Sequence, residues 1–310
     1  MMRSLYSAIS GLKNHQTKMD VIGNNIANVN TTGFKRSRVT FATTLSQTLK
    51  GASTPSVTVG GTNPVQIGMG AMLGSIDQVM TQGSTQSTGK ATDMLIQGSG
   101  FFMLDNNGTV YSRAGTFGLD SAGNLNEPGT GAKVQGTMFG SALLAAATPP
   151  VFTALGPIQI KIGSQPYLPG TPATVGTGLA TDAALDSYSI DQKGVITGVY
   201  ITPATATTAA ISTTAKIGQI AVASFANDAG LENMGNNFYR ETSNSGTATV
   251  GEAGATGRGT IVPGAVEMSN VDLSQEFTDM IVAQRGFQAN SRVITVSDSL
   301  LQELIDLKRQ

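Results

Sequence analysis

Three short stretches have the oxygen-rich spacing of a cation loop: Asp105-Asn106-Asn107-Gly108, Asp120-Ser121-Ala122-Gly123 and Asp191-Gln192-Lys193-Gly194. Calcium takes about six to eight oxygen ligands, and an Asp with one or two neighbouring polar side chains leaves most of that shell unfilled. The same residues suit a hairpin turn, in which Asp bonds the backbone two residues on and Gly supplies a positive φ. Turns are therefore expected. His15 is the one histidine, and there is no cysteine. Zinc would have to rest on carboxylates, and a Ser-His-Asp arrangement would need a distant acid and nucleophile brought to the middle of a helix. The Gly-rich stretches at 68–74 and 98–102 do not join a strand to a helix, and neither is followed by Lys-Ser or Lys-Thr, as a phosphate cradle requires. No catalytic, metal or cofactor site is expected, and the chain does not read as an enzyme.

Composition narrows the partners. Charged residues make up 13% of the 310, Gly numbers 38, and the net charge is −1. Such a surface offers no long-range field to attract nucleic acid. The basic clusters at Lys35-Arg36-Ser37-Arg38 and Lys308-Arg309 are short and are expected to be solvated helix ends or linkers. No apolar run approaches the roughly 20 residues of a membrane span. Lys13, Asn14, His15 and Gln16 interrupt the N-terminal apolar stretch before any cleavage-like segment, so no cleaved signal peptide is expected.

What stands out is the organisation of the two ends. Between residues 4 and 29, Leu5, Ile9, Leu12, Met19, Ile22, Ile26 and Val29 recur at helical spacing. Between 272 and 308 the pattern returns with Leu273, Phe277, Met280, Phe287, Ile294, Leu301 and Ile305. Both are close to a seven-residue repeat, the seam of a coiled coil. Polar residues at seam-like positions, Gln16, Gln284 and Ser291, could fix register in an array. Asp272 and Gln275 have capping-box spacing for the second helix. The first helix should end in the turn-rich segment at 28–30, with Gly33 left-handed and Phe34 an apolar anchor beyond it. Such ends are expected to be mobile in a monomer and to order on assembly.

Between the ends the period shifts towards two. Residues 40–50 read as a short helix with Phe41, Leu45 and Leu49 on one face, and residues 51–64 as a loop. Strands are expected at 74–81, 94–97, 101–104, 109–113, 157–162 and 218–225, with a loop holding at most one strand at 201–215 and a further loop at 242–260. The expected fold class is α+β: paired long terminal helices, a coiled-coil core domain, flanking a discontinuous and mainly β outer domain. Residues 1–64 with 265–310 would form the inner domain, 65–140 with 185–264 the outer one, and 141–184 a small insert.

The stretch from Asn24 to Lys35, Asn-Asn-Ile-Ala-Asn-Val-Asn-Thr-Thr-Gly-Phe-Lys, resembles the N-terminal signature of bacterial flagellar rod and hook axial proteins. The run from Ser269 to Arg309 is similar to the hook branch of that family, and so are Gly98-Ser99-Gly100-Phe101-Phe102, the segment 111–117 and the segment 230–239. The resemblance implies a subunit of the flagellar hook, a flexible universal joint between rod and filament, with the distal rod as the alternative. A secreted adhesin with Thr/Gly-rich loops is a remoter one. It also implies export through a type III apparatus without a cleaved signal, an extracellular location, and self-assembly beside rod, hook cap and hook–filament junction proteins. Assembly would rest on Leu5, Ile9, Leu12, Met19, Ile22, Asn24, Asn25, Ile26, Asn28, Val29, Gly33 and Phe34 at one end. At the other it would rest on Leu273, Phe277, Met280, Gln284, Arg285, Phe287, Asn290, Ile294, Leu301 and Ile305. Phe41 and Leu45 match an export-gate motif of similar proteins.

Overall fold

The computed structural model describes residues 2–55, 60–139, 155–162, 184–202, 211–255 and 257–309. Most of the expected insert at 141–184, and residues 203–210 of an expected loop, lie outside the described residues. The chain divides into two compact units. A helical unit comprises Met1–Val29, Lys35–Val79 and Val271–Gln310, and a β unit comprises Asn30–Phe34 and Met80–Asn270. No helix among the described residues is long and apolar enough to cross a membrane.

In the helical unit, α1 spans Met2–Ala27 and α2 spans Leu273–Arg309. They pack antiparallel: Lys18 meets Asp279, His15 lies against Gly286, and Gly11 against Asn290. The start of α2 is fixed as expected by Asp272, whose carboxylate accepts from the backbone N–H groups of Ser274 (2.9 Å) and Gln275 (3.3 Å). Gln275 turns its side chain to Asp279 (3.0 Å), so only half of a capping box forms.

Residues 40–50 are not helical. They belong to β1 (Ser37–Thr43) and β2 (Ser46–Lys50), which run antiparallel to β3 (Val65–Gly68) and β4 (Ala71–Gln78). The register is almost continuous along this ribbon: Ser37 opposes Gln78, Thr43 opposes Ala71, and Ser46 opposes Gly68. A spacing of four puts Phe41, Leu45 and Leu49 on one face of a strand as readily as of a helix. The β-branched Val39, Thr40, Thr43, Thr44 and Thr48 favour the extended form. The pairing also carries residues 65–78 into the helical unit, where the sequence had suggested the outer one.

The β unit is built on a mainly antiparallel sheet. Its central path runs Ala184–Ile190, Val195–Thr202, Ile211–Ile220, Lys133–Met138, Phe101–Asp105, Thr109–Ser112, Phe238–Arg240, Glu232–Gly235. Alternation along Phe101–Asp105 sends Phe102 and Leu104 into the main core, with Ile96, Phe117, Val134 and Ile220, while Phe101 joins Tyr111, Leu231 and Tyr239 in a smaller cluster. Strands occur near each expected position that is described, and Thr249–Gly251, expected as loop, pairs with Val222–Ser224. The three Asp–Gly stretches are turns. Asp105 accepts from Gly108 N–H (3.2 Å), Asp120 from Ala122 (2.8 Å) and Asn124 (2.7 Å), and Gly194 takes φ +74.

Candidate assembly surfaces

The tight seam between the helices differs from the apolar stripe expected of it. On α1, Ala8, Gly11, His15, Lys18, Ile22 and Asn25 follow one another at alternating steps of three and four, and Ala8, Ile22 and Asn25 are buried. On α2, Glu276, Ala283 and Ser297 are buried and Asn290 lies in the same seven-residue column. A Cβ added at Gly11 would stand 2.5 Å from the Asn290 amide nitrogen, and one added at Gly286 2.5 Å from the His15 ring. Small residues therefore let the two backbones approach, and polar ones set the register. The Lys18–Asp279 pair (3.1 Å) and the Arg36–Glu276 pair (3.7 Å) fasten the end of the seam near the start of α2.

The expected assembly residues distribute around this seam. Leu5, Leu12, Met19 and Ile26 sit one position along from it and are half-buried, and Ile9 is exposed. Asn25 is buried and clasps the backbone of Ser37, donating to its carbonyl (2.9 Å) and accepting from its N–H (3.0 Å). Asn28 is half-buried and donates to the Asn24 carbonyl (2.9 Å) and side-chain oxygen (2.8 Å), which closes the end of α1. Val29 is half-buried. Gly33 takes φ +70, and a Cβ there would meet the Ala114 amide at 2.5 Å, so the signature needs glycine for both conformation and space. Phe34 is buried as an anchor.

On α2, Met280, Asn290, Ile294 and Leu301 are half-buried, while Leu273, Phe277, Gln284, Arg285, Phe287 and Ile305 are exposed. Gln16 is exposed too and Ser291 half-buried, so Gln16 and Gln284 do not lie in the seam of a single chain. Phe41 is exposed in β1, and Leu45, at 86% exposure, follows it just beyond the strand end. Lys35, expected in solvent, is 2% exposed. Its hydrophobic stem and its place after a buried Phe carry it inward, against the usual behaviour of a lysine.

A second surface on α2 did not enter the expected set. Val293, Val296, Leu300, Leu304 and Leu307 recur at steps of three and four, and every one is exposed. Pairing of residue 11 with 290 and of 15 with 286 places the start of α1 opposite a point near residue 299. The last ten or so residues of α2, about 15 Å of helix, therefore run past the end of α1. The sequence signal was present as helical periodicity, but it overlapped the stripe of Ile294 and Leu301 and was absorbed into it.

The β unit contains a buried constellation that sequence patterning also missed. Arg113 and Glu267 are both buried, 3.4 Å apart, and the Arg113 guanidinium stands 5.5 Å from the centre of the Phe101 ring. Arg113 also donates to the carbonyls of Ile96 (3.2 Å) and Gly98 (2.6 Å). Burial lowers the Arg113 pKa, and Glu267 opposes that fall. Burial also pushes the neighbouring Tyr239 hydroxyl up to about 12. These groups are held neutral or paired, an arrangement suited to positioning the chain.

The described residues thus combine long terminal helices that carry exposed apolar side chains with a mainly β unit from the middle of the sequence. Comparison with known proteins identifies the family. Residues 5–35 match the family described as flagella basal body rod protein, residues 95–198 the flagellar hook protein FlgE/F/G D1 domain, and residues 262–307 the flagellar basal body rod FlgEFG protein C-terminal family. The flagellar basal-body rod protein FlgG of Bacillus subtilis is 46% identical over 311 residues, covering all of both chains. The flagellar hook protein FlgE of Treponema pallidum is 33% identical over 472 residues, again covering all of both chains. That of Borreliella burgdorferi is 34% identical over 450 residues, covering 99% of this chain and all of its own. The chain belongs to the flagellar rod and hook family of axial structural proteins.

Proposed function

We propose that this chain is a structural subunit of the flagellar hook, polymerising through its terminal helices into a hollow, bendable tube that couples rod to filament. The observation that carries the polymer reading is the exposed stripe Val293, Val296, Leu300, Leu304 and Leu307, whose last three residues lie beyond the reach of α1. Each such side chain contributes about 1.5–3 kcal/mol when fully buried. A second copy of the chain is the occupant, because a tube needs many identical contacts and no segment of the same chain covers the stripe among the described residues.

The hook is favoured by the C-terminal run from Ser269 to Arg309 and by two hook relatives that align along their whole length. A second reading, a distal rod subunit, is favoured by the Bacillus subtilis rod relative at 46% identity. In either case the partners are further copies of the chain and neighbouring axial, cap and junction proteins, reached by type III export. Phe41 and Leu45, exposed on and beside the first strand, are available as an export-gate motif. Deleting the gene and imaging the cells separates the readings. Rods without hooks support the hook, loss of the distal rod supports the second reading, and normal flagella contradict both.

A further inference from the structure

The chain passes between its two units at 29–30, 34–35, 79–80 and 270–271. The three segments of the β unit next to these crossings, 30–34, 80–84 and 265–270, meet at one residue. The backbone carbonyl of Glu267 accepts from Gly33 N–H (2.8 Å). Its Oε1 accepts from Gly83 N–H (2.8 Å), and its Oε2 faces Arg113 Nη1 at 3.4 Å. Further links close the rest: Met268 N–H donates to the Ser84 carbonyl (2.9 Å), and Asn270 Nδ2 to the Thr81 carbonyl (3.1 Å) and hydroxyl (3.0 Å). Asn237 Nδ2 donates to the Thr32 carbonyl (2.9 Å). There is no room to spare, since a Cβ at Gly83 would collide with the Met268 carbonyl and one at Gly33 with Ala114.

A buried ion pair is a poor source of stability, because removing two charges from water costs about as much as their attraction returns. Its use here is geometric. Glu267 is fully buried and has two carboxylate oxygens and a carbonyl, each directed to a different segment or to the arginine that holds it. We propose that Glu267, held by Arg113, is a pin that fastens the three connecting segments into a single cooperative element. The segments open together or not at all.

Native-state hydrogen exchange on the full-length monomer tests this without any substitution. Peptides covering 30–35, 80–86 and 265–270 are expected to exchange through one shared opening, with rates that respond in parallel to denaturant. Independent openings overturn the proposal. Glu267→Gln keeps the volume and removes the charge, so exchange in all three segments should accelerate by at least about tenfold while the strand Val195–Thr202 is unaffected. Acceleration confined to 80–86, the segment whose side-chain acceptor changes from carboxylate to amide, overturns the pin. Should that variant fail to fold, the parallel or independent opening of the unmodified chain still decides.

Discussion

Gly286 and His15 show how closely the terminal helices approach. Valine at 286 would place its Cβ 2.5 Å from the imidazole, and overpacking of this kind costs about 1–3 kcal/mol. Gly286→Val is expected to lower the helical unfolding transition by that amount in denaturant titrations, and adding His15→Ala should recover much of it. Asp279 sets a pH dependence at the same seam. The Gln275 amide first, and then Lys18, hold its carboxyl below the ordinary 3.8. A lowered folded-state value means that its contribution is fully present above the unfolded pKa and is lost as pH falls through the folded one. Thermal stability of α1–α2 pairing should therefore fall below about pH 4, less steeply in Asp279→Asn, with a difference that shrinks in high salt because the pair is partly exposed. Sequence patterning weighed the large apolar residues, several of which are exposed, and missed the seam. The positions that decide helix approach are glycine, alanine, histidine and asparagine, which hydrophobic periodicity does not weigh.

At the scale of elements, capping chemistry was legible because it is local. Asp272 caps α2 as its spacing implied, and Asp272→Ala should cost about 1 kcal/mol, seen as a lower midpoint for the helical signal with the β signal unchanged. The turns at Asp105–Gly108 and Asp120–Gly123 were equally legible, since each is fixed by its own residues. Residues 40–50 failed for the opposite reason. Their extended form depends on a partner some fifteen to thirty-five residues on, in Val65–Gly68 and Ala71–Gln78, and no local pattern reports that partner. The Arg113–Glu267 pair is hidden in the same way, its members lying 154 positions apart in the sequence.

At the scale of the molecule, the helical ends and the β-rich middle were visible as a change of hydrophobic period, and the terminal motifs carried the family. The boundaries were less visible, because chain segments change unit at residues whose composition does not change. The same view explains the uncovered face of α2. In the proposed polymer, a further copy would cover the apolar residues that stay exposed among the described residues. The most direct test is salt-induced polymerisation of the purified full-length chain, followed by sedimentation and electron microscopy, against a Val296→Glu, Leu300→Glu variant. The unmodified chain should form curved hollow tubes, while the variant stays dispersed with its circular dichroism unchanged. A variant that forms tubes as readily as the unmodified chain would contradict the assignment of this helix face to assembly.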